Sequence, residues 1–224
     1  RFLTAMMMAM AKQRYFLGCV FVVLAASCWG LIGLLGAKLN QAGFSGLEVA
    51  SLRITLASVV LILVSPFVLN SLRVFQRKQL PLLSMQSLLG VFLMTVCYFL
   101  AVQHIGAALS VALLYTAPVW SMLLAHFLLK ERISFIGVML TLITVVGVAL
   151  CLNTSAPLNW TGIAFGLLSG FSYACFGVLG KKALNNTPPT ILLYSSVLIS
   201  GMAMLFMPFF HFSFQKTFTN IPPN

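Results

Sequence analysis

A series of seven apolar runs, each about as long as a bilayer is thick, constrains the fold of this chain more than any other feature. The runs cover residues 16–37, 47–69, 82–102, 106–129, 133–152, 160–180 and 190–212. A helix needs about 20 residues to cross a hydrocarbon core ~30 Å thick, so every run is long enough. Since 61% of the residues are hydrophobic and 7% are charged, the sequence predicts an all-α membrane protein with seven transmembrane helices.

The basic residues lie on alternating connections between the runs, and this pattern predicts the orientation. Ten of them fall on one side, namely Arg1, Lys12, Arg14, Arg73, Arg77, Lys78, Lys130, Arg132, Lys181 and Lys182. The opposite side has Lys38 and Lys216. Because cytoplasmic loops carry the Lys/Arg excess, we expect a multi-pass protein of the cell inner (plasma) membrane with a cytoplasmic N-terminus.

The net charge of +11 does not indicate nucleic acid, because the charges are spread over the loops rather than clustered on one basic face. The expected partners are the lipid bilayer and a small-molecule substrate, with no nucleic acid. The five cysteines all fall inside apolar runs and none forms a C-x-x-C pair. Buried thiols of this kind pack as small hydrophobes, and we expect no metal site and no cofactor.

An internal repeat relates the first run to the sixth when the sequence is shifted by 144 residues. Residues 18–38 and 162–182 then share seven identities in 21 positions, with Trp29 over Tyr173. A repeat of five helices is odd-numbered, so the two copies have opposite orientations, as in many secondary transporters. The expected domains are a first repeat over 16–152, the start of a second over 160–212, and a truncated outer loop over 213–224.

The same offset places Asn224 over Leu80, just before the third run. Three helices of the second repeat are therefore expected to be missing from this sequence, which would show seven helices of a ten-helix bundle of two five-helix inverted repeats. The alternative is a native seven-helix protein in which a homodimer supplies the rest.

Two segments carry a resemblance to a known family. One is AASCWG at 25–30, and the other is SVALLYTAPVWSMLLAHFLLKERISFIGVMLTLITVVGVAL at 110–150. With its aromatic–Thr–Ala–Pro centre and its Lys-Glu-Arg turn, the chain resembles the EamA-type drug/metabolite transporter (DMT) superfamily. The resemblance implies ten helices in two EamA repeats and transport of a small metabolite.

Aromatic and hydroxyl side chains near the middle of otherwise apolar helices are the substrate-pocket candidates. They are Trp29, Tyr98, Tyr115, Thr116, Trp120 and Tyr173. Tyrosine and tryptophan usually prefer the membrane interfaces, so a mid-membrane position favours a pocket that stacks on a ligand or hydrogen-bonds to it. The competing interpretation for each is a buried side chain whose polar atom is satisfied by neighbouring backbone.

Three further residues are singled out by their chemistry. Pro118 lies in the middle of the fourth run, where it removes a backbone donor and is expected to kink the helix beside a substrate chamber, although a packing kink without a ligand is the alternative. Arg53 is the one basic residue well inside a run, so it is a candidate for a substrate or gating role, unless it snorkels to the outer boundary. Glu131, at the start of the fifth run, is a charged candidate expected to act as a structural latch.

The sequence contains none of the common catalytic motifs considered below. The chain has two glutamates, Glu48 and Glu131, and no aspartate, and no GxSxG, HExxH or P-loop pattern occurs. We therefore expect no catalytic residues and no enzyme activity. The sequence predicts an inner-membrane secondary transporter that exports an amino acid or related compound by alternating access. The alternative is a non-transporting membrane assembly or sensor protein.

Overall fold

The computed structural model describes residues 2–72, 76–151 and 159–206, and every regular element in these ranges is helical. The helices are α1 (Phe2–Gln41), α2 (Gly46–Leu72), α3 (Leu80–Met85), α4 (Leu93–Leu114), α5 (Ala117–Leu129), α6 (Phe135–Cys151), α7 (Trp160–Leu184) and α8 (Pro189–Leu205). A 3-10 turn (Arg77–Gln79) precedes α3, and a π-helical segment (Gln86–Phe92) joins α3 to α4. The all-α prediction is thus confirmed.

Four stretches are long and apolar enough to cross a membrane: Leu17–Gln41, Gly46–Pro66, Arg77–Leu114 and Trp160–Leu184. The shorter apolar helices are Ala117–Leu129, Phe135–Gly147 and Pro189–Leu205. The last of these belongs to the seventh run, whose residues 207–212 lie outside the described ranges, as does the predicted loop over 213–224. Arg1, Arg73 and Lys216 of the charge pattern also lie outside them.

The boundary between the third and fourth runs falls at Gly106, inside α4. Gly106 has φ +79° and ψ 166°, a conformation that glycine adopts readily, so α4 consists of two helical segments. Tyr98 from the first segment and Val111 from the second both lie beside Gly33 of α1. In a straight helix these two residues would be about 20 Å apart along the axis, so the chain turns back at Gly106.

The fourth run is interrupted a second time, just before Pro118. Tyr115 and Thr116 form a turn, and Pro118 lies in the first turn of α5, where a missing N–H costs little. The expected kink is therefore a break between α4 and α5. Pro118 has no N–H, so it donates no i→i−4 bond to the carbonyl of Leu114. The Thr116 hydroxyl donates to the Leu113 carbonyl at 2.7 Å and supports the turn.

α7 is the centre of the bundle, and small residues let its neighbours approach. Gly162, Gly166 and Gly170 are spaced by four residues and lie on one helix face, against the α4 segments and the turn that follows them. A Cβ at Gly170 would lie 2.6 Å from Thr116 Oγ1 and 2.9 Å from the Leu113 carbonyl oxygen. This stripe is a small-xxx-small packing motif of the kind that joins membrane helices, and it was not predicted.

A buried set of polar side chains joins the π-helical segment to α8. The Ser87 hydroxyl donates to the Ser195 carbonyl at 3.1 Å, and the Ser200 hydroxyl donates to the Ser87 carbonyl at 3.0 Å. The Ser196 hydroxyl donates to Gln86 Oε1 at 2.8 Å. Interhelical bonds of this type hold helices together where the hydrophobic effect cannot, because lipid is as apolar as the helices themselves.

Residues related by the 144-residue offset meet in the structure. Trp29 and Tyr173 are such a pair, and their rings are 5.7 Å apart between centroids. A two-fold axis between inverted repeats would bring such pairs together. The division into two repeats itself stays a prediction.

Candidate functional site

Four of the six pocket candidates line one cavity of about 350 Å³, called here the aromatic cavity. Trp29 comes from α1, Tyr98 from α4, Tyr115 from the turn after α4, and Tyr173 from α7. The remaining wall is formed by Ala26, Gly30, Ile32, Gly33, Arg53, Met94, Val111 and Leu114. A concave, mainly apolar chamber of this size with a few convergent polar groups is typical of small-molecule sites.

Local packing fixes where the four aromatic side chains lie. Tyr98 is buried, makes an edge contact with Phe99 at 5.2 Å, and places its hydroxyl beside Gly33, where a Cβ would lie 2.8 Å from it. Tyr173 stacks on Phe176 at 6.2 Å, besides touching Trp29. Gly33 therefore serves close packing, since any larger residue would push the Tyr98 hydroxyl away.

Trp29 and Tyr115 leave one side of the aromatic cavity open among the described residues. Their side chains are 48% and 57% exposed, whereas Tyr98 is 6% exposed. Tyr115 reaches the chamber because the chain turns there before Pro118. The break between α4 and α5 thus places an aromatic ring in the wall of the aromatic cavity without burying it.

Thr116 and Trp120 do not line the aromatic cavity. The Thr116 hydroxyl faces the Leu113 carbonyl and Gly170. Trp120 packs edge-on against Phe171 of α7, with 5.6 Å between ring centroids. Both side chains pack α5 and the turn before it against α7. This arrangement corresponds to the competing interpretation from the sequence, in which these residues have a packing role.

A second cavity of about 380 Å³ adjoins the first and shares Trp29, Arg53 and Met94 with it. Its other lining residues are Val91, Phe176, Leu184, Pro189, Leu192, Leu193, Ser196 and Val197. Leu184 and Pro189 lie at the turn between α7 and α8, next to Lys181 and Lys182. Trp29, Arg53 and Met94 form a common wall, called here the partition, between the two cavities.

Glu131 is away from both cavities and makes an ion pair. Its Oε1 atom lies 2.6 Å from Lys181 Nζ, which joins the turn between α5 and α6 to the end of α7. The carbonyl of Glu131 also lies 2.9 Å from His126 Nδ1. The geometry is that of a latch between two helix ends at the Lys/Arg-rich face.

We expect this latch to contribute little to stability. The Lys181 and Glu131 side chains are 64% and 43% exposed, and exposed pairs contribute about 0.2–1 kcal/mol. Glu131→Gln should therefore lower the melting temperature of the detergent-solubilised protein slightly at low salt, and not at about 1 M salt, where charges are screened. Lys182→Gln, which removes a neighbouring charge, is the control. A loss that persists at high salt would contradict the ion-pair explanation.

Several site residues were not predicted from the sequence. Met94, Val111 and Leu114 line the aromatic cavity, but an apolar residue in an apolar helix gives no signal of its own. Ser196, beside Gln86, is a polar residue of the second cavity, and a single serine in an apolar helix is only a weak signal in a sequence. Gln103 faces α2, where its side-chain oxygen accepts from the Gly46 N–H at 2.7 Å and caps the start of that helix.

Comparison with known proteins adds independent information. Residues 16–153 match the EamA-like transporter family. Two proteins of Archaeoglobus fulgidus, each described as an uncharacterized transporter, are similar to the chain. One is 33% identical over 119 residues, which is 53% of this chain and 43% of the relative. The other is 25% identical over 187 residues, which is 84% of this chain and 65% of the relative.

An uncharacterized transporter of Helicobacter pylori is 27% identical over 154 residues, 68% of this chain and 51% of the relative. The chain thus spans about half the length of the curated relatives that it matches. No solved structure matches the chain significantly.

Proposed function

Because this chain belongs to the EamA-like transporter family, we propose that it carries a small metabolite, an amino acid or related compound, across the inner membrane by alternating access. The observation that carries the proposal is the aromatic cavity, which gathers Trp29, Tyr98, Tyr115 and Tyr173 from four parts of the chain. Transport needs a site that holds its ligand near mid-membrane, and these residues supply aromatic faces and three hydroxyls for one.

The two adjoining cavities support an alternating-access route. The second cavity extends to the turn between α7 and α8, and the proposed orientation makes this turn cytoplasmic because Lys181 and Lys182 lie just before it, at the end of α7. The aromatic cavity lies on the other side of the partition. In the proposed cycle a substrate enters from the cytoplasm, passes the partition when Trp29 moves, and leaves outward, so that the direction is efflux.

The proposed orientation has the N-terminus in the cytoplasm, and the proposed partners are the lipid bilayer and the transported molecule. A homodimer is proposed only for the case in which no further helices follow in the same chain. No enzyme activity, cofactor or nucleic-acid partner belongs to the proposed function.

Transport is tested with the full-length protein in proteoliposomes loaded with unlabelled amino acids and supplied with labelled ones outside. We expect counterflow, a transient accumulation of label well above that in protein-free vesicles. Vesicles containing Tyr115→Ala protein, inserted to the same level, should accumulate far less. Equal labelling of protein-containing and protein-free vesicles for all amino acids would contradict the proposed substrate group.

Ion coupling gives a separate prediction. Glu48 and Glu131 are the acidic side chains of residues 1–224, and both lie at helix ends, so the helices of this sequence place no carboxylate to relay protons at mid-membrane. We therefore expect facilitated diffusion or exchange, with initial flux changing less than about twofold when a pH gradient is imposed. Strict dependence of net flux on the gradient would overturn this expectation.

A further inference from the structure

Arg53 occupies an unusual position for a charged residue. It lies in α2 in the interior of an apolar run, and it contributes to the walls of both cavities. Within residues 2–72, 76–151 and 159–206, its guanidinium has no hydrogen-bond or ion-pair partner. A cation at membrane depth is costly unless it is paired, and such residues are functional candidates by default.

The acidic side chains of the chain are both engaged elsewhere. Glu48 Oε2 accepts from the Ser45 N–H at 2.6 Å while the Ser45 hydroxyl accepts from the Glu48 N–H at 3.3 Å, forming a capping box that starts α2. Glu131 pairs with Lys181. Since residues 1–224 contain two acidic residues, no carboxylate side chain within them neutralises Arg53.

We propose that Arg53 binds the carboxylate of the transported metabolite, so that the substrate class is a small organic acid or an amino acid with an apolar body. This inference rests on the proposed transport function and specifies its ligand. Guanidinium binds carboxylate through two parallel N–H···O bonds, which fixes the direction in which the ligand enters the site. The apolar body would then lie against Trp29, Tyr98 and Tyr115, the aromatic part of the same wall.

The position of Arg53 in the partition gives it a role on both sides. Because it lines the aromatic cavity and the second cavity, an anion could keep its charge partner while it passes from one to the other. The ligand would then avoid a desolvated, unpaired state at mid-membrane, which is the most expensive point of its path.

The test is a binding measurement that does not depend on flux. In the full-length protein, Trp120→Phe with Trp160→Phe, and phenylalanine at any tryptophan beyond residue 224, leaves Trp29 as the single tryptophan, and its fluorescence reports on the cavity. The probes are 3-phenylpropionate and 3-phenylpropionamide, which share a shape and differ in charge. We expect the acid to bind at least about tenfold more tightly than the amide, as hydrogen bonds to charged groups imply.

Arg53→Gln should reduce this preference to less than about twofold, and Arg53→Lys should retain part of it because the charge remains without the planar fork. Arg132→Gln, the same change at an exposed turn, should leave it intact. Circular dichroism and gel filtration establish that each variant is folded. If Arg53→Gln does not fold, the inference is tested by comparing the affinities for the acid and the amide in the parent protein and in Arg53→Lys.

Equal affinity for acid and amide in the parent protein, or no response to either at millimolar concentration, would overturn the inference. So would an undiminished preference in Arg53→Gln. A preference that disappears in phosphatidylglycerol nanodiscs but not in phosphatidylcholine ones would assign Arg53 to a lipid phosphate and overturn it too. Absence of counterflow alongside a retained acid preference would contradict the transport function alone.

Discussion

Trp29→Ala is expected to reduce flux at least about tenfold while the protein inserts and folds normally. Trp29 lies in the partition and touches Tyr173, so alanine removes the aromatic surface that both cavities share. Losing the contact of one large apolar side chain with a ligand costs about 1.5–3 kcal/mol, and each 1.4 kcal/mol is a tenfold change in an equilibrium constant. Initial rates in proteoliposomes, normalised to inserted protein, measure the effect.

Trp160→Ala is the matched control for this prediction. Trp160 begins α7, is 73% exposed and does not line either cavity, so its removal should leave flux within about twofold of the parent rate. The comparison also separates a carrier from a non-transporting assembly or sensor protein. If the two alanine variants were equally active, Trp29 would have no role in transport, and the aromatic cavity would not be the route.

Gly170→Ala is expected to lower the melting temperature by several degrees. An added Cβ would meet Thr116 Oγ1 at 2.6 Å and the Leu113 carbonyl oxygen at 2.9 Å, and the second of these is backbone that cannot swing away. Overpacking of this kind costs about 1–3 kcal/mol. Because the contact is made by the turn that carries Tyr115, the same substitution should also weaken ligand binding. Thermal unfolding followed by circular dichroism in detergent measures the first effect.

Gly177→Ala on the same helix should raise the melting temperature instead of lowering it. No atom lies within 4 Å of a Cβ at Gly177, so alanine adds helix propensity of about 0.5–1 kcal/mol without a clash. Both variants make the same Gly→Ala change in the same helix, and they differ in whether other atoms lie next to the added Cβ. A similar melting temperature for the two variants would show that α7 is not packed through its glycine stripe as described.

The sequence pattern was sufficient for the helical segments, because a bilayer requires long apolar helices whatever their neighbours are. The boundary at Gly106 also follows from a residue whose backbone freedom is visible in the sequence. The break before Pro118 was expected as a kink, and its form depended on the turn at Tyr115 and Thr116, whose support comes from hydrogen bonds that no periodicity reveals.

The candidate site was also predicted only in part. Tyr98, Tyr115, Trp29 and Tyr173 were candidates because polar and aromatic groups are conspicuous in apolar helices, whereas Thr116 and Trp120 were equally conspicuous and turned to α7 instead. Which way a side chain faces depends on the rotation of its helix against its neighbours. That rotation is set by close contacts such as those of Gly33 and Gly170, and a single sequence does not contain them.

The seven apolar runs by themselves determined that the chain is an all-helical membrane protein, since backbone groups in lipid must be paired and continuous apolar runs of about 20 residues fit helices and not barrel strands. Only the tertiary structure decided that Arg53 shares a partition with Trp29 and Met94, and that both glutamates are occupied elsewhere. Burial costs act on each residue alone and can be read along the chain. Charge pairing and cavity walls are relations between distant residues, and they exist only when the helices pack.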